Sequence, residues 1–335
     1  MKPATTTKID LSRLSKKYML EIILFCIVLA LVFTAPGFFT LANILNILRN
    51  VTLSGVISFG MTMVLIGGEI DLSVGSSIGL SAVLTATITG ALAKAGIMPM
   101  ETGVFVAMGC AILVGLLIGL WNGFLRTRFN IPTFIITLAM QNVVYGAAAL
   151  ISRGFPVTTL PDWYNWIGAG RLFGVFPVPA IWLLIVFAIV FVIMNLTRFG
   201  REVYAVGGNP ESARLSGINV TKVKIIIMVA VQVLAAIAGI ILSGQVMSGS
   251  STFGRGYETD VISAVIIGGT SLAGGVGKVW GTFMGIIFLG VINNGMTLFG
   301  VGDFEKYIVR GFLILFAVLF NTIQIQSLQK ARISK

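Results

Sequence analysis

Histidine is absent from the 335-residue chain, and cysteine occurs only twice. Without histidine the chain lacks both the commonest general base and the commonest metal ligand, which argues against an enzyme and leaves no metal centre to expect. Cys26 and Cys110 both fall in apolar runs, where a thiol packs as a small hydrophobe, so neither carries a redox signature. Charge is scarce as well. Only 10% of the residues are charged, against about 25% in soluble domains. With 56% hydrophobic residues and a mean hydropathy of +0.99, an ordinary soluble fold is excluded. The composition predicts an all-α polytopic membrane protein, and the forty glycines fit it, since small residues let membrane helices approach closely. A nucleotide site is missing too. GGVGK at 274–278 resembles the end of a phosphate-binding loop, but that loop needs glycine where Leu272 stands and Ser or Thr where Val279 stands. No nucleophile motif is present, and no cofactor is expected on this chain.

The net charge of +11 would suggest a nucleic-acid partner for a soluble protein. Here the basic residues gather in the polar intervals between apolar runs, so they belong to membrane topology and no nucleic acid is expected. Lys2, Lys8, Arg13, Lys16 and Lys17 precede an apolar run at 19–36 that no small-residue cleavage site closes, which reads as a retained span. Hydropathy and helix breakers predict about ten spans in a single domain, at 19–36, 51–68, 75–93, 102–125, 132–151, 178–196, 225–247, 259–272, 279–298 and 307–323, with about eight as the rival count. A short amphipathic piece at 41–49 leads into the second. With the N-terminus inside, sixteen Lys or Arg fall in inner intervals and six in outer ones. That bias puts the segment 1–18, the loop 198–224 and the tail 324–335 in the cytoplasm.

The loop 198–224 is the longest polar interval between strongly apolar runs, and it carries Arg198, Arg201, Arg214, Lys222 and Lys224. Inside it Asn209 suits an N-cap, Pro210 the first helical position, Glu211 the positive end of the dipole, and Gly217 the helix end. A capped helix in a basic loop is either a docking element or a solvated connection that obeys the charge rule.

Glu69 and Asp71 are the most unusual ionisable residues, set in a polar break after the second span and followed by Ser73. A charge at membrane depth is solvated, capping a helix, or functional; Asp71 and Ser73 are good caps for a helix starting near Val74, and a gate or substrate contact is the alternative. VLIGGEIDLSVG at 64–75 echoes VIIGGTSLAGGVG at 265–277, with Gly68 and Gly269 in matching places. This is either a chance likeness or the paired broken helices of a repeat-built transporter. Asn122, Gln141, Asn142, Asn195, Gln232, Asn293 and Asn294 place amides within spans. Each forms an interhelical hydrogen bond or a contact to a hydroxyl-rich neutral solute. Arg310 starts the last span, where it snorkels outward or pairs with Asp303 or Glu305.

The segments GMTMVLIGGEIDLSVGS, YAVGGNPESARLSGINVTKVK, GYETDVISAVIIGGTSLAGGVGKVWGT and NNGMTLFGV together resemble the permeases of bacterial sugar importers driven by a separate ATPase, most like the ribose type. The resemblance runs over 38–320. It implies a bacterial inner-membrane permease with a cytoplasmic ATPase subunit below, a periplasmic sugar-binding protein above, and a second permease copy beside it in the bilayer. In the wider superfamily a cytoplasmic loop with Glu-Ala-Ala and a following Gly docks on the ATPase. Here that pattern falls on Glu211, Ala213 and Gly217, with Ser212 replacing the first Ala and with Gly207, Gly208, Asn209 and Arg214 around it. The pathway is then expected near Gly68, Glu69, Asp71, Asn122, Gln141, Gln232, Gly269, Asn293 and Asn294. An ion-coupled transporter, using Glu69, Asp71, Glu258 or Asp260, and a passive channel are the alternatives to ATP-driven alternating access.

Overall fold

The computed structural model describes residues 19–333, with the side chains of residue 317 and of 320–333 outside the description. The basic segment 1–18 and the side chains of the tail therefore lie outside the described residues. Lipid offers no partner to a backbone N–H or C=O, so helices dominate. In order they are α1 (Met19–Thr34), α2 (Leu41–Asn50), α3 (Thr52–Ile66), α4 (Val74–Lys94), α5 (Met100–Phe129) and α6 (Thr133–Ser152). An excursion comes next, with a 3-10 turn at Asp162–Tyr164, α7 (Asn165–Ala169) and a two-stranded antiparallel ribbon, β1 (Arg171–Leu172) and β2 (Phe176–Pro177). Then come α8 (Val178–Leu196), α9 (Arg198–Gly208), α10 (Pro210–Leu215), α11 (Val220–Val246), α12 (Tyr257–Ile267), α13 (Val279–Leu298) and α14 (Asp303–Ile333).

The expected ten spans need correction. Among the described residues six helices, α4, α5, α6, α8, α11 and α13, are long and apolar enough to cross a membrane; α2 and α3, bent by 47° at their junction, make a seventh if taken as one. The run at 19–36 yields a helix of only 16 residues, about 24 Å long against a hydrocarbon core of about 30 Å. The run at 259–272 yields only 11 helical residues. Its shortness has a visible cause. After α11 the chain does not start a new span at the surface but returns along α4, with Gly249 against Ala82, Ser251 against Gly79 and Gly254 against Gly75. α12 thus begins beside the start of α4, with Glu258 against Gly75. Hydropathy measures apolar length and is blind to where a helix starts.

The core is organised on α11, which packs against α3, α4, α5 and α7. Every residue of α3 except Ser54 is buried, as expected of a helix apolar on all sides. On α5, Gly115, Gly119 and Gly123 face α11, and a Cβ at any of the three would come within 3.0 Å of it. This small-residue stripe lets α5 and α11 pack closely. α11 also serves as a ruler. Lys224 meets Glu69, Gln232 meets Asp71 and Ser77, and Ser243 meets the Tyr164 hydroxyl at 2.9 Å. Lys224 and Gln232 are separated by about 12 Å along the axis.

Candidate functional site

The first break, 67–73, turns into the bundle. α3 closes with Gly68 at φ +76°, a left-handed position open to glycine, and the Glu69 N–H bonds back to the Val64 carbonyl at 3.0 Å. That turn aims Glu69 at the starts of α11 and α6 and at the end of α5. The Glu69 carboxylate accepts from Arg126 Nε at 2.8 and 3.0 Å, from the Lys224 ammonium and from the Thr133 hydroxyl. Glu69 is buried and so is Lys224. The solvated reading of Glu69 is thereby corrected, because two cations and a hydroxyl replace water. Neither Lys224 nor Arg126 belonged to the expected pathway. A signal was present, since an acid at membrane depth requires a partner.

Two residues on, Asp71 is fully buried. It accepts from Ser73 N–H at 2.8 Å, Ser73 Oγ at 2.6 Å and Gln232 Nε2 at 2.8 Å. Ser77 Oγ donates to Gln232 Oε1 at 2.6 Å, and Asn122 Nδ2 reaches Ser73 Oγ at 3.4 Å. The structure therefore brings Asp71, Asn122 and Gln232 into one network that crosses α4, α5 and α11. Asp71 does support the start of α4, but through a turn onto Ser73. Gln141 stands apart and donates to Glu258 Oε1 at 3.2 Å.

Asn293 and Asn294 lie elsewhere, on a cavity of about 320 Å³ between α2, α3, α12, α13 and α14. Its polar lining includes Asn46, Asn50, Ser54, Asp260, Thr297 and Arg310. Asn294 and Asn43 exchange two hydrogen bonds at 2.9 and 2.8 Å, fixing α2 on α13. Arg310 Nη1 lies 2.7 Å from Asp260 Oδ1, and its guanidinium sits 5.5 Å from the Tyr307 ring centroid. Arg310 is thus not paired with Asp303 or Glu305; Asp303 takes Lys306 at 3.0 Å. Asn43, Asn46 and Asn50 escaped the sequence reading, although their 3- and 4-residue spacing puts an amide stripe along one face of α2.

At the other end of the bundle the polar stretch folds as two joined helices. Asn209 ends α9 and caps α10, its side chain accepting from Ser212 N–H at 2.9 Å. Pro210 takes the first turn, Ala213 is buried, and Gly217 at φ +82° closes the helix, with Ile218 N–H returning to the Ala213 carbonyl. Glu211 and Arg214 pair at 2.6 Å on the exposed side. That hydrogen bond, together with the Arg214 charge, holds the Glu211 carboxyl below its ordinary range, and Glu211 in turn raises Arg214. Burial pushes the Tyr204 hydroxyl up. Leu215 stands exposed. Gly207 and Gly208, at the end of α9, touch both Gly68 of the first break and Gly274 and Gly275 of the second. Gly269 ends α12 at φ +86°.

The chain is 39% identical over 316 residues to the ribose import permease protein of Escherichia coli, covering 92% of this chain and 95% of that one. It is 41% identical over 304 residues to the ribose import permease protein of Bacillus subtilis, covering 89% and 90%. To the L-arabinose transport system permease protein of Escherichia coli it is 35% identical over 319 residues, covering 95% and 94%. No solved structure matches. Residues 43–318 match the family described as branched-chain amino acid transport system / permease component, which takes in every element from α3 to α13, and the chain belongs to that family.

Proposed function

We propose that the chain is the membrane-spanning permease of an ATP-driven importer that carries a monosaccharide, ribose or a close relative, inward by alternating access. As a permease component it is not an enzyme, and ATP hydrolysis belongs to a separate subunit. The observation that carries the sugar reading is the cavity of about 320 Å³ with Asn46, Asn50, Asn293 and Asn294 on its wall. Amides donate and accept at once, which matches hydroxyl groups, and the volume lies at the small end of the ligand-site range of about 300–1,000 Å³. Relatives named for ribose and arabinose support the same class.

On this reading the α9–α10 end is cytoplasmic and meets the ATPase, and the cavity faces a periplasmic binding protein. The excess of Lys and Arg on that end supports this orientation in the bacterial inner membrane, with both termini in the cytoplasm. One permease domain spans the chain, a second copy completes the pathway, and no cofactor sits on it. Transport then requires that the two permease states differ in affinity for the nucleotide-bound ATPase. Reconstitution in liposomes with a partner ATPase and a sugar-binding protein tests this, with labelled ribose and arabinose as cargo. Uptake should require ATP and both partners and should survive a protonophore. Uptake without the ATPase would make the protein a channel, and collapse under a protonophore at constant ATP would make it a symporter.

A further inference from the structure

The two breaks and the polar α9–α10 stretch meet at one place, and the contact is built almost wholly from backbone. Gly275 N–H donates to the Ile66 carbonyl at 2.8 Å, tying the second break to the last turn of α3. Gly207 lies against both partners of that bond. A Cβ on Gly207 would overlap the Ile66 carbonyl oxygen and stand 2.7 Å from Gly275 N. From the facing side, a Cβ on Gly274 would stand 2.7 Å from Gly207 O and 2.9 Å from Gly68 Cα. One turn earlier on α9, the Tyr204 hydroxyl donates to the Gly277 carbonyl at 2.9 Å.

Little slack separates this contact from the exposed helix beyond it. Asn209 N–H bonds to the Ala205 carbonyl while its side chain caps α10, so the two helices share one junction residue. Val203 and Val206 are fully buried and hold α9 on the core. A displacement of α10 therefore arrives at Gly207. Packed backbone has no side chain that can rotate away, so it transmits displacement instead of absorbing it.

We propose that Gly207 is the positioning residue through which α9 moves both breaks as one unit during transport. This rests on the reading of 198–224 as the ATPase-facing element. The first break leads into α4, which carries the Asp71 network, and the second leads into α13, which carries Asn293 and Asn294. One joint thus reaches both the buried network and the cavity.

The test compares Gly207→Ala with Gly208→Ala in the complete complex in liposomes. Gly208 also lies against Gly275 through its backbone, but a methyl on it meets nothing within 4 Å, so that variant keeps the contact and removes only a glycine from the same turn. Gly207→Ala should still co-purify with the ATPase and hydrolyse ATP, yet take up labelled ribose about tenfold more slowly than Gly208→Ala. Equal uptake by the two variants overturns the proposal. If Gly207→Ala fails to insert, Tyr204→Phe replaces it, adding no atom to the joint. Its ATP consumed per ribose delivered should rise about threefold, and an unchanged ratio overturns the proposal. If the unaltered complex takes up no ribose, the functional reading fails instead. The joint is then read from spin labels at the exposed Leu215 and Leu272, whose separation should hold across nucleotide states in the unaltered chain and vary in Gly207→Ala. Variation in both overturns it.

Discussion

The two glycine-pair breaks end their helices in the same way and share little else. After α3, Gly67 N–H bonds to Met63 O, Gly68 to Leu65 O and Glu69 to Val64 O; after α12, Gly268 bonds to Ala264 O, Gly269 to Ile266 O and Thr270 to Val265 O. Gly68 and Gly269 take φ +76° and +86°. The likeness of 64–75 to 265–277 is therefore a likeness of backbone. Thr270 and Ser271 are buried just as Glu69 is, and the two breaks diverge after them: Asp71 and Ser73 turn into the bundle and are buried, whereas Leu272, Ala273, Val276 and Lys278 are exposed. The first break is anchored to α5, α6 and α11 by charge and hydrogen bonds. The second is tied to α3 by a backbone hydrogen bond at Gly275 and to α9 through Tyr204. One backbone device thus serves as an anchored joint in one half and an exposed one in the other.

The anchored joint should be the costlier to disturb. Glu69→Ala leaves Arg126 and Lys224 facing each other without their shared carboxylate. Breaking a buried pair in this way should cost about 3 kcal/mol, taken at the low end because the Arg126 side chain is 22% exposed. Thermal unfolding in detergent measures it, and a melting temperature matching the unaltered protein would show that the cluster is not an anchor. Asp71→Ala should cost less, about 2 kcal/mol, because it strips acceptors from Ser73 and Gln232 but leaves no unpaired charge. Asp71→Asn, which keeps an oxygen toward Ser73, should recover part of that loss in the same melt.

Much of this was legible in the sequence where a rule is local. Asn209, Pro210 and Gly217 mark their helix because capping depends on a few neighbouring residues. The helical membrane class came from the scarcity of charge. The candidate site was only half legible. Asp71, Asn122 and Gln232 were each conspicuous as polar groups among apolar neighbours, but nothing in their spacing says that they meet. Arg310 was expected to snorkel outward or to pair with Asp303 or Glu305, and it pairs with Asp260 because tertiary packing of α14 on α12 decides the partner. The expected span at 259–272 failed for the same reason, since the return of 249–258 along α4 leaves no mark in hydropathy.

The smallest effect sharpens the comparison most. Gly68→Ala and Gly269→Ala each force an L side chain into a left-handed backbone, and neither added methyl meets a clash: the nearest atom to Gly68 is at 3.9 Å, and Gly269 has none within 4 Å. The cost should then be conformational alone, about 1 kcal/mol at each position. Equal losses in detergent melts would mean that the two helix endings are energetically the same device and that the contrast lies wholly in what is attached beyond them. A markedly larger loss at Gly68 would mean that Glu69 and its partners demand the turn as well as profit from it. The charge cluster would then set the backbone of the first break, and the glycine pair alone would set only the second.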